Sequence, residues 1–137
     1  MVNVMETLIV EDNPGDACAL GCLLDDIDRL DFRIDHAVSL EDALARAAKH
    51  AYKLIFLDLN LPDSIGYQTF EKMLAAAPDA PIIVMSGVED STLASAAIHG
   101  GVQIYIVKDS IDSSGLAIAI RDACERNRME RESRHLK

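Results

Sequence analysis

Short apolar runs alternate with longer segments of helical periodicity along the chain. Five runs have the length and composition of β-strands, and two of them are apolar throughout, as parallel strands covered on both faces are. The runs span residues 7–10, 32–36, 54–57, 82–85 and 104–107. The second run alternates apolar and polar residues, which predicts a strand at the edge of the sheet. A helix is predicted after each run, over residues 16–30, from 39 onward, 65–77, 91–99 and 111–128.

Local signals agree with several of these helix boundaries. Ser39, followed by Asp42 three residues later, is close to a capping box. Pro78 ends the third predicted helix, and Gly100-Gly101 ends the fourth. Five strand–helix units in a chain of 137 residues predict one α/β domain built on a doubly wound parallel sheet.

The chain is acidic, with a formal net charge of -10. This charge argues against direct binding of nucleic acid or of an anionic membrane, because both need a basic surface. No segment reaches the ~18 apolar residues of a membrane span and no leader pattern opens the chain, so a soluble, cytoplasmic protein is expected. Cys18, Cys22 and Cys124 lack the spacing of zinc ligands and are expected to be buried free thiols.

The charge changes sign near the end of the chain. The apolar stripe of the last predicted helix ends at Cys124, and residues 125–137 carry three acidic and five basic side chains. We expect one domain over 1–124 and a charged helical extension over 125–137. That extension is compatible with a solvated helix end, the start of a coiled coil or a linker to an output domain.

Charged and hydroxyl side chains follow four of the five predicted strands. Glu11-Asp12 follows the first strand, Asp58 the third, Ser86 the fourth and Lys108 the fifth. Ligands of open parallel sheets bind beyond the carboxyl ends of the strands. We therefore expect these five side chains to converge at one edge of the sheet.

Three carboxylates at one edge repel each other and lose solvation unless a cation neutralises them. Mg²⁺ binds a few carboxylate or carbonyl oxygens, keeps several waters and accepts a phosphate oxygen. The residues therefore predict a Mg²⁺ site suited to phosphoryl transfer, with Asp58 as the nucleophile that becomes an aspartyl phosphate. Lys108 and Ser86 would neutralise and hydrogen-bond the phosphoryl oxygens.

Four sequence blocks resemble the signature blocks of the response regulator receiver family, in the same order and at matching spacing. The blocks are LIVEDNPGD, LIFLDLNLPDSIG, IIVMSG and IYIVKD, and the resemblance covers about residues 6–125. It implies a flavodoxin-like α/β fold, with a five-stranded parallel sheet in the order 2-1-3-4-5 and five helices.

The resemblance also implies roles for the acidic positions. Asp58 matches the phosphorylated aspartate of the family. Glu11 and Asp12 match its acidic pair, in which Asp12 binds the metal directly and Glu11 binds it through water. Asn60 matches the residue whose backbone carbonyl completes the Mg²⁺ site.

Four further positions match the phosphoryl-binding and switch residues of the family. Lys108 matches the lysine that contacts the phosphoryl group, and Gly87 matches the small residue that leaves room for it. Ser86 matches the switch hydroxyl, and Tyr105 matches the aromatic residue that turns inward when the hydroxyl moves. Asn60 and Val88 lie where the family tunes the lifetime of the acyl phosphate.

The implied function is signal relay by a phosphoacceptor that assists its own phosphorylation and dephosphorylation and is not otherwise an enzyme. A histidine kinase or a histidine phosphotransfer protein would donate the phosphoryl group. Phosphorylation would remodel a surface at about residues 89–124 that contacts an output domain, a partner protein or a second copy of the chain.

One position departs from the family pattern. Asp109 replaces the usual proline, so the turn that holds Lys108 is expected to be looser.

Four other interpretations compete with that of an active receiver domain. A haloacid dehalogenase-type phosphatase would need an aspartate where this chain has Asn60. A calcium loop over Asp58, Asn60 and Asp63 is disfavoured, because Pro62 and the displaced glycine at Gly66 do not fit the pattern of such a loop. A flavodoxin-type cofactor binder would need a glycine loop after the first strand, and a degenerate receiver would lack some of the active-site residues.

Overall fold

A computed structural model describes residues 3–86, 104–108 and 110–135. The elements in chain order are β1 (Asn3–Val10), α1 (Pro14–Asp25), β2 (Leu30–Ala37), α2 (Leu40–Lys49), β3 (Leu54–Asp58), β4 (Asn60–Leu61), β5 (Ser64–Ile65), α3 (Tyr67–Ala76), β6 (Ile82–Ser86), β7 (Ile104–Val107) and α4 (Ser113–His135). The predicted helix over 91–99 lies outside the described residues, as do Gly87, Val88 and Asp109.

Five strands form the central sheet in the order β2-β1-β3-β6-β7. Every neighbouring pair is parallel. Numbered within this sheet alone, the strands have the predicted order 2-1-3-4-5, which confirms the flavodoxin-like fold. The prediction that β2 lies at an edge is also confirmed.

Alternate strand residues pack against two layers of helices. The layer formed with α2 and α3 buries Leu8, Ile55, Leu57, Phe70 and Met73. The layer formed with α1 and α4 buries Ile9, Leu24, Phe56, Ile83 and Leu116. Burying one such side chain contributes about 1.5–3 kcal/mol, so the two layers fix the central strands firmly. As a result β3 holds its last residue, Asp58, at a defined place on the carboxyl edge.

The first helix is shorter than its apolar periodicity predicts. α1 ends at Asp25, whereas the prediction extended it to residue 30. Asp25, Asp26 and Asp28 place negative charge at the C-terminal end of the helix, where the helix dipole disfavours it. Arg29 then adopts a φ of 74° and turns the chain into β2.

A short hairpin between β3 and α3 was not predicted. The periodicity predicts a helix from residue 65, but Ile65 pairs with Asn60 in an antiparallel ladder and α3 begins at Tyr67. Gly66 is the N-cap of α3 and has a φ of 89°, a conformation that glycine adopts without steric cost. The predicted helix is therefore wrong by two residues at its start.

The last helix continues to His135, past the end of the predicted helical segment at residue 128 and into the charged helical extension expected over 125–137. Whether residue 125 begins a linker stays a prediction. Across the part of the chain that the structure describes, no helix combines the length and the apolar character needed to cross a bilayer.

The expectation of buried cysteines is wrong for two of the three. Cys18 and Cys22 are exposed on α1, because the buried face of that helix is formed by Leu20 and Leu24. Cys124 is partly buried.

Candidate functional site

The three carboxylates predicted to converge meet at the carboxyl edge of the sheet. Glu11 is 1% exposed and Asp58 is 3% exposed, whereas Asp12 is exposed. One carboxylate oxygen from each residue lies within 4.8 Å of the other two. A cleft of about 460 Å³ opens beside them. Hard oxygen donors at this spacing fit a small divalent cation such as Mg²⁺.

Backbone contacts with the end of β2 hold Glu11 in place. The Glu11 N–H donates to the Ala37 carbonyl at 2.9 Å, and the Glu11 carbonyl lies 2.6 Å from His36 Nε2. The Asn13 N–H donates to Glu11 Oε2 at 3.1 Å, and the Asn13 side chain caps α1. The chain therefore turns at Asp12, which lines the cleft.

Lys108 brings a positive charge to the carboxylates. It follows β7, and its N–H donates to the Ser86 carbonyl at 2.8 Å. Its Nζ donates to Asp58 Oδ2 at 2.7 Å and to Asp16 Oδ2 at 3.1 Å, and it also contacts Glu11 Oε1. One ammonium group is therefore shared by three carboxylates.

The low solvent access of this cluster changes its protonation. Burial raises the pKa of Glu11 to about 7, although hydrogen bonds from Lys108 and from the Asn13 N–H act in the opposite direction. Burial by itself lowers the pKa of Lys108, but hydrogen bonds to Asp58 and Glu11 outweigh it, and the net shift is upward. Lys108 is therefore an ammonium at neutral pH, whereas Glu11 is poorly stabilised as an anion.

The hairpin after β3 places Asn60 beside the Asp58 carboxylate. The Asn60 N–H donates to Asp58 Oδ1 at 2.9 Å. At the base of the hairpin the Gly66 N–H donates to the Leu59 carbonyl at 2.7 Å. Because Asn60 and Lys108 hold one oxygen each, the Asp58 carboxylate has a defined orientation. Asn60 itself lines the cleft.

Ser86 lies on β6, the strand next to β3, and Tyr105 lies on β7, the edge strand beyond β6. Ser86 ends β6 and pairs with Val107, which places it on the same edge as Asp58. Tyr105 lies on β7 and packs against the core layer of α2 and α3. Their roles as switch residues stay predictions, and Gly87 lies outside the described residues.

Asp16 is a site residue that the sequence reasoning missed. It lies in the first turn of α1, four residues after Asp12, and its carboxylate accepts from Lys108. The helix begins at the edge of the sheet where the other carboxylates lie, so an acid in its first turn is close to them. The spacing of four residues between Asp12 and Asp16 could therefore have predicted Asp16 as a site residue.

Asp63 lies away from the carboxylate cluster. Its two oxygens accept from the Leu40 and Glu41 N–H groups, each at 2.9 Å. A calcium loop would instead turn Asp63 toward Asp58, so the calcium-loop interpretation is wrong.

The sheet order, the carboxylate cluster and the lysine at the carboxyl edge together define a phosphoacceptor type of flavodoxin-like domain. The family model described as "Response regulator receiver domain" matches residues 7–121. The chain belongs to this family, and it is a receiver domain of the two-component response regulators.

A related protein agrees with this family, and two solved structures have the same fold. Over 106 residues the chain is 30% identical to the C4-dicarboxylate transport transcriptional regulatory protein DctD of Rhizobium meliloti, covering 77% of this chain and 23% of DctD. A CheY-like receiver domain protein from Methanospirillum hungatei has a TM-score of 0.77 at 19% identity, covering 95% of this chain and 99% of that one. A Burkholderia pseudomallei response regulator, solved with a phosphorylated aspartic acid, a calcium ion and citrate, has a TM-score of 0.72 at 21% identity, covering 93% and 72%.

The two solved structures show the fold alone, because their sequence identities are low. The chain spans 23% to 40% of the length of the curated relatives it matches.

Proposed function

We propose that Asp58 accepts a phosphoryl group from the phosphohistidine of a histidine kinase or a histidine phosphotransfer protein. The observation that carries the proposal is the contact of the buried Asp58 carboxylate with Lys108 Nζ, at 2.7 Å, beside a cleft lined by further acids. A buried carboxylate is costly unless it is paired, and this one is paired at the edge where parallel sheets bind ligands.

The acidic cluster supports a Mg²⁺ site. Asp12, Asp58 and the Asn60 carbonyl would hold the ion, and Glu11 would reach it through water. When bound, Mg²⁺ supplies positive charge to the carboxylates and to the phosphoryl oxygens. A single ammonium does not balance this cluster, and the pKa of Glu11 is raised first by its burial and further by the neighbouring Asp58 carboxylate. A divalent cation restores the balance.

The chain's own residues perform the transfer. An Asp58 oxygen attacks phosphorus while the bond from phosphorus to the donor imidazole nitrogen breaks, and an aspartyl phosphate forms. Lys108 shifts its hydrogen bond from the carboxylate to a phosphoryl oxygen. The Ser86 hydroxyl donates to another phosphoryl oxygen, and Gly87 leaves space beside it.

Phosphorylation shifts a conformational equilibrium through Ser86 and Tyr105. The surface at about residues 89–124 then contacts an output domain, a partner protein or a second copy of this chain. DctD, a transcriptional regulator much longer than this chain, supports an output outside the receiver domain. We propose residues 125–137 as the connection to that output, and the cytoplasm as the place of the exchange.

The test is the intact mass of the protein after incubation with acetyl phosphate, with and without Mg²⁺. We expect a gain of one phosphoryl group only with Mg²⁺, and no gain in Asp58→Asn, because an amide is not a nucleophile here. Asp31→Asn is the matched control, since Asp31 is an exposed acid on β2. It should take up phosphate like the wild type.

Two results would contradict the proposal. An adduct on Asp58→Asn at the full rate would move the acceptor to another residue. No adduct on folded wild type, together with no beryllofluoride binding, would favour the degenerate receiver that acts as a constitutive interaction module.

A further inference from the structure

We infer that Asp63 is a positioning residue for the metal site, because it ties the hairpin that carries Asn60 to the N-terminus of α2. The inference rests on the proposed function, since the site it positions is the proposed Mg²⁺ site. Asp63 does not touch the acidic cluster, and its effect passes through the backbone.

The contact of Asp63 with α2 is bidentate. Asp63 Oδ1 accepts from the Leu40 N–H and Oδ2 accepts from the Glu41 N–H, both at 2.9 Å. These are the first two N–H groups of α2, which have no partner inside the helix. The same two donors lower the pKa of Asp63. Because both oxygens are engaged, the contact fixes the orientation of the hairpin tip as well as its distance from the helix.

Helix capping alone does not account for this contact. Ser39 is already the N-cap of α2, and its Oγ accepts from the Asp42 N–H at 3.1 Å. Ser39 precedes its helix directly, whereas Asp63 is separated from Glu41 by 22 residues. Asp63 therefore adds a connection between two distant segments of the chain.

The hairpin links Asp63 to the metal site through only a few residues. Asp63 lies in the turn between β4 and β5, in which Leu61 pairs with Ser64 and Asn60 pairs with Ile65. The Asn60 N–H in turn donates to Asp58 at 2.9 Å. A displaced hairpin tip therefore displaces the Asn60 peptide, whose carbonyl is a proposed Mg²⁺ ligand.

On its other side, α2 is linked to Glu11. The helix follows β2 closely, and the Ala37 carbonyl at the end of β2 accepts from the Glu11 N–H at 2.9 Å. Asp63 thus completes a series of hydrogen bonds that joins the acidic pair after β1, through β2 and α2, to the hairpin that carries Asn60 after β3. Contacts outside the ligands themselves help to hold the ligands of a metal site in position.

The base of the hairpin has anchors of its own, so loss of Asp63 should loosen the hairpin without unfolding it. Leu59 and Leu61 are buried, at 3% and 2% exposure. The Ser64 and Thr69 hydroxyls form a buried hydrogen bond of 2.7 Å. Asp63→Ala should therefore weaken the metal site in a protein that still folds.

The experiment compares Asp63→Ala with Ser39→Ala by calorimetric Mg²⁺ titration and by amide hydrogen exchange. Both variants lose a cap of α2, and both should unfold at a lower denaturant concentration. Only Asp63→Ala should raise the Kd for Mg²⁺, by about tenfold, the low end of the loss seen when an outer partner of a metal ligand is removed. Only Asp63→Ala should speed exchange of the Asn60 amide. Asp63→Asn keeps one acceptor oxygen and should lie between Asp63→Ala and the wild type.

Each remaining result overturns a specific statement. An unchanged Kd and unchanged Asn60 exchange in Asp63→Ala would sink the inference and leave the proposed function standing. An equal loss of Mg²⁺ affinity in Ser39→Ala would assign the effect to helix stability and would also sink it. A wild-type protein that does not bind Mg²⁺ would overturn the proposed function itself.

Discussion

The two ends of the central sheet each carry a basic side chain shared by carboxylates, and water reaches the two clusters to different extents. At the carboxyl end the Lys108 side chain is 16% exposed, and the side chains of its partners Glu11 and Asp58 are 1% and 4% exposed. At the opposite end Arg128 of α4 lines a cleft with Met5 and Lys53, near the amino ends of the strands. The Arg128 side chain is 55% exposed, and those of Glu125 and Glu132 are 54% and 62% exposed.

The difference in exposure separates charges that cost stability from charges that do not. An exposed ion pair gains little, because each group is already hydrated. In a buried cluster the desolvation of every charge must be offset, and removing one partner leaves the others uncompensated. The cluster around Lys108 is therefore expensive for the fold, which is typical of a functional site, whereas the pairs of Arg128 support an exposed helix.

The largest expected effect comes from removing the cation of the buried cluster. Lys108→Ala should lower the free energy of unfolding by on the order of 3 kcal/mol in metal-free buffer, because Glu11 and Asp58 lose their counter-charge. Added Mg²⁺ should restore part of that loss, since the ion supplies the missing charge. Urea unfolding with EDTA and with Mg²⁺ measures both effects.

The control for this variant is Lys53→Ala, which removes an exposed lysine that precedes β3. Its unfolding should match the wild type in both buffers. If the two variants lost the same stability, burial of the Lys108 cluster would not be the cause.

A smaller effect is expected from the protonation of Glu11. Its pKa is about 7 in the folded protein, against 4.5 for an ordinary glutamate, so the folded state holds the proton more tightly than the unfolded state does. In metal-free buffer the contribution of Glu11 to stability should therefore decrease as the pH rises from about 4.5 to about 7. The full rise in the pKa corresponds to about 3 kcal/mol, which is the upper limit of the expected loss.

The contribution of Glu11 is measured as the difference between the unfolding free energies of the wild type and of Glu11→Gln, because this difference excludes what the two proteins have in common. Glu11→Gln should remove this part of the slope of unfolding free energy against pH, and Mg²⁺ should flatten the slope of the wild type. Parallel curves for the variant and the wild type from pH 5 to 7, in EDTA, would show that Glu11 is not the group involved.

The sequence predicts the buried cluster around Lys108 well. The central strands are almost wholly apolar and the carboxyl ends of parallel strands meet at one edge, so the convergence of Lys108 and Asp58 was predicted together with the parallel sheet. Strand periodicity and the quoted sequence blocks were therefore enough for the sheet order and for the place of the carboxylates.

The contacts that reach beyond one element were not predictable in the same way. Asp63 binds α2 across 22 residues of sequence, and only the packing of the hairpin on the helix brings the two together. The hairpin itself was hidden because the residues around Ile65 also fit the start of a helix. The early end of α1 depended on Arg29 adopting a positive φ, which is rare for a residue other than glycine.

The smallest effect is expected at the exposed end of the sheet. Arg128 is paired with Glu125 and Glu132, three and four residues away along α4. Pairs at this spacing support a helix locally, and water replaces most of what they contribute. Arg128→Ala should therefore speed amide exchange over residues 125–135, while the urea midpoint and the Mg²⁺-dependent uptake of phosphate stay at wild-type values. If the variant instead lost as much global stability as Lys108→Ala, exposure would not separate the two clusters, and the end of α4 would have to be part of the cooperative core.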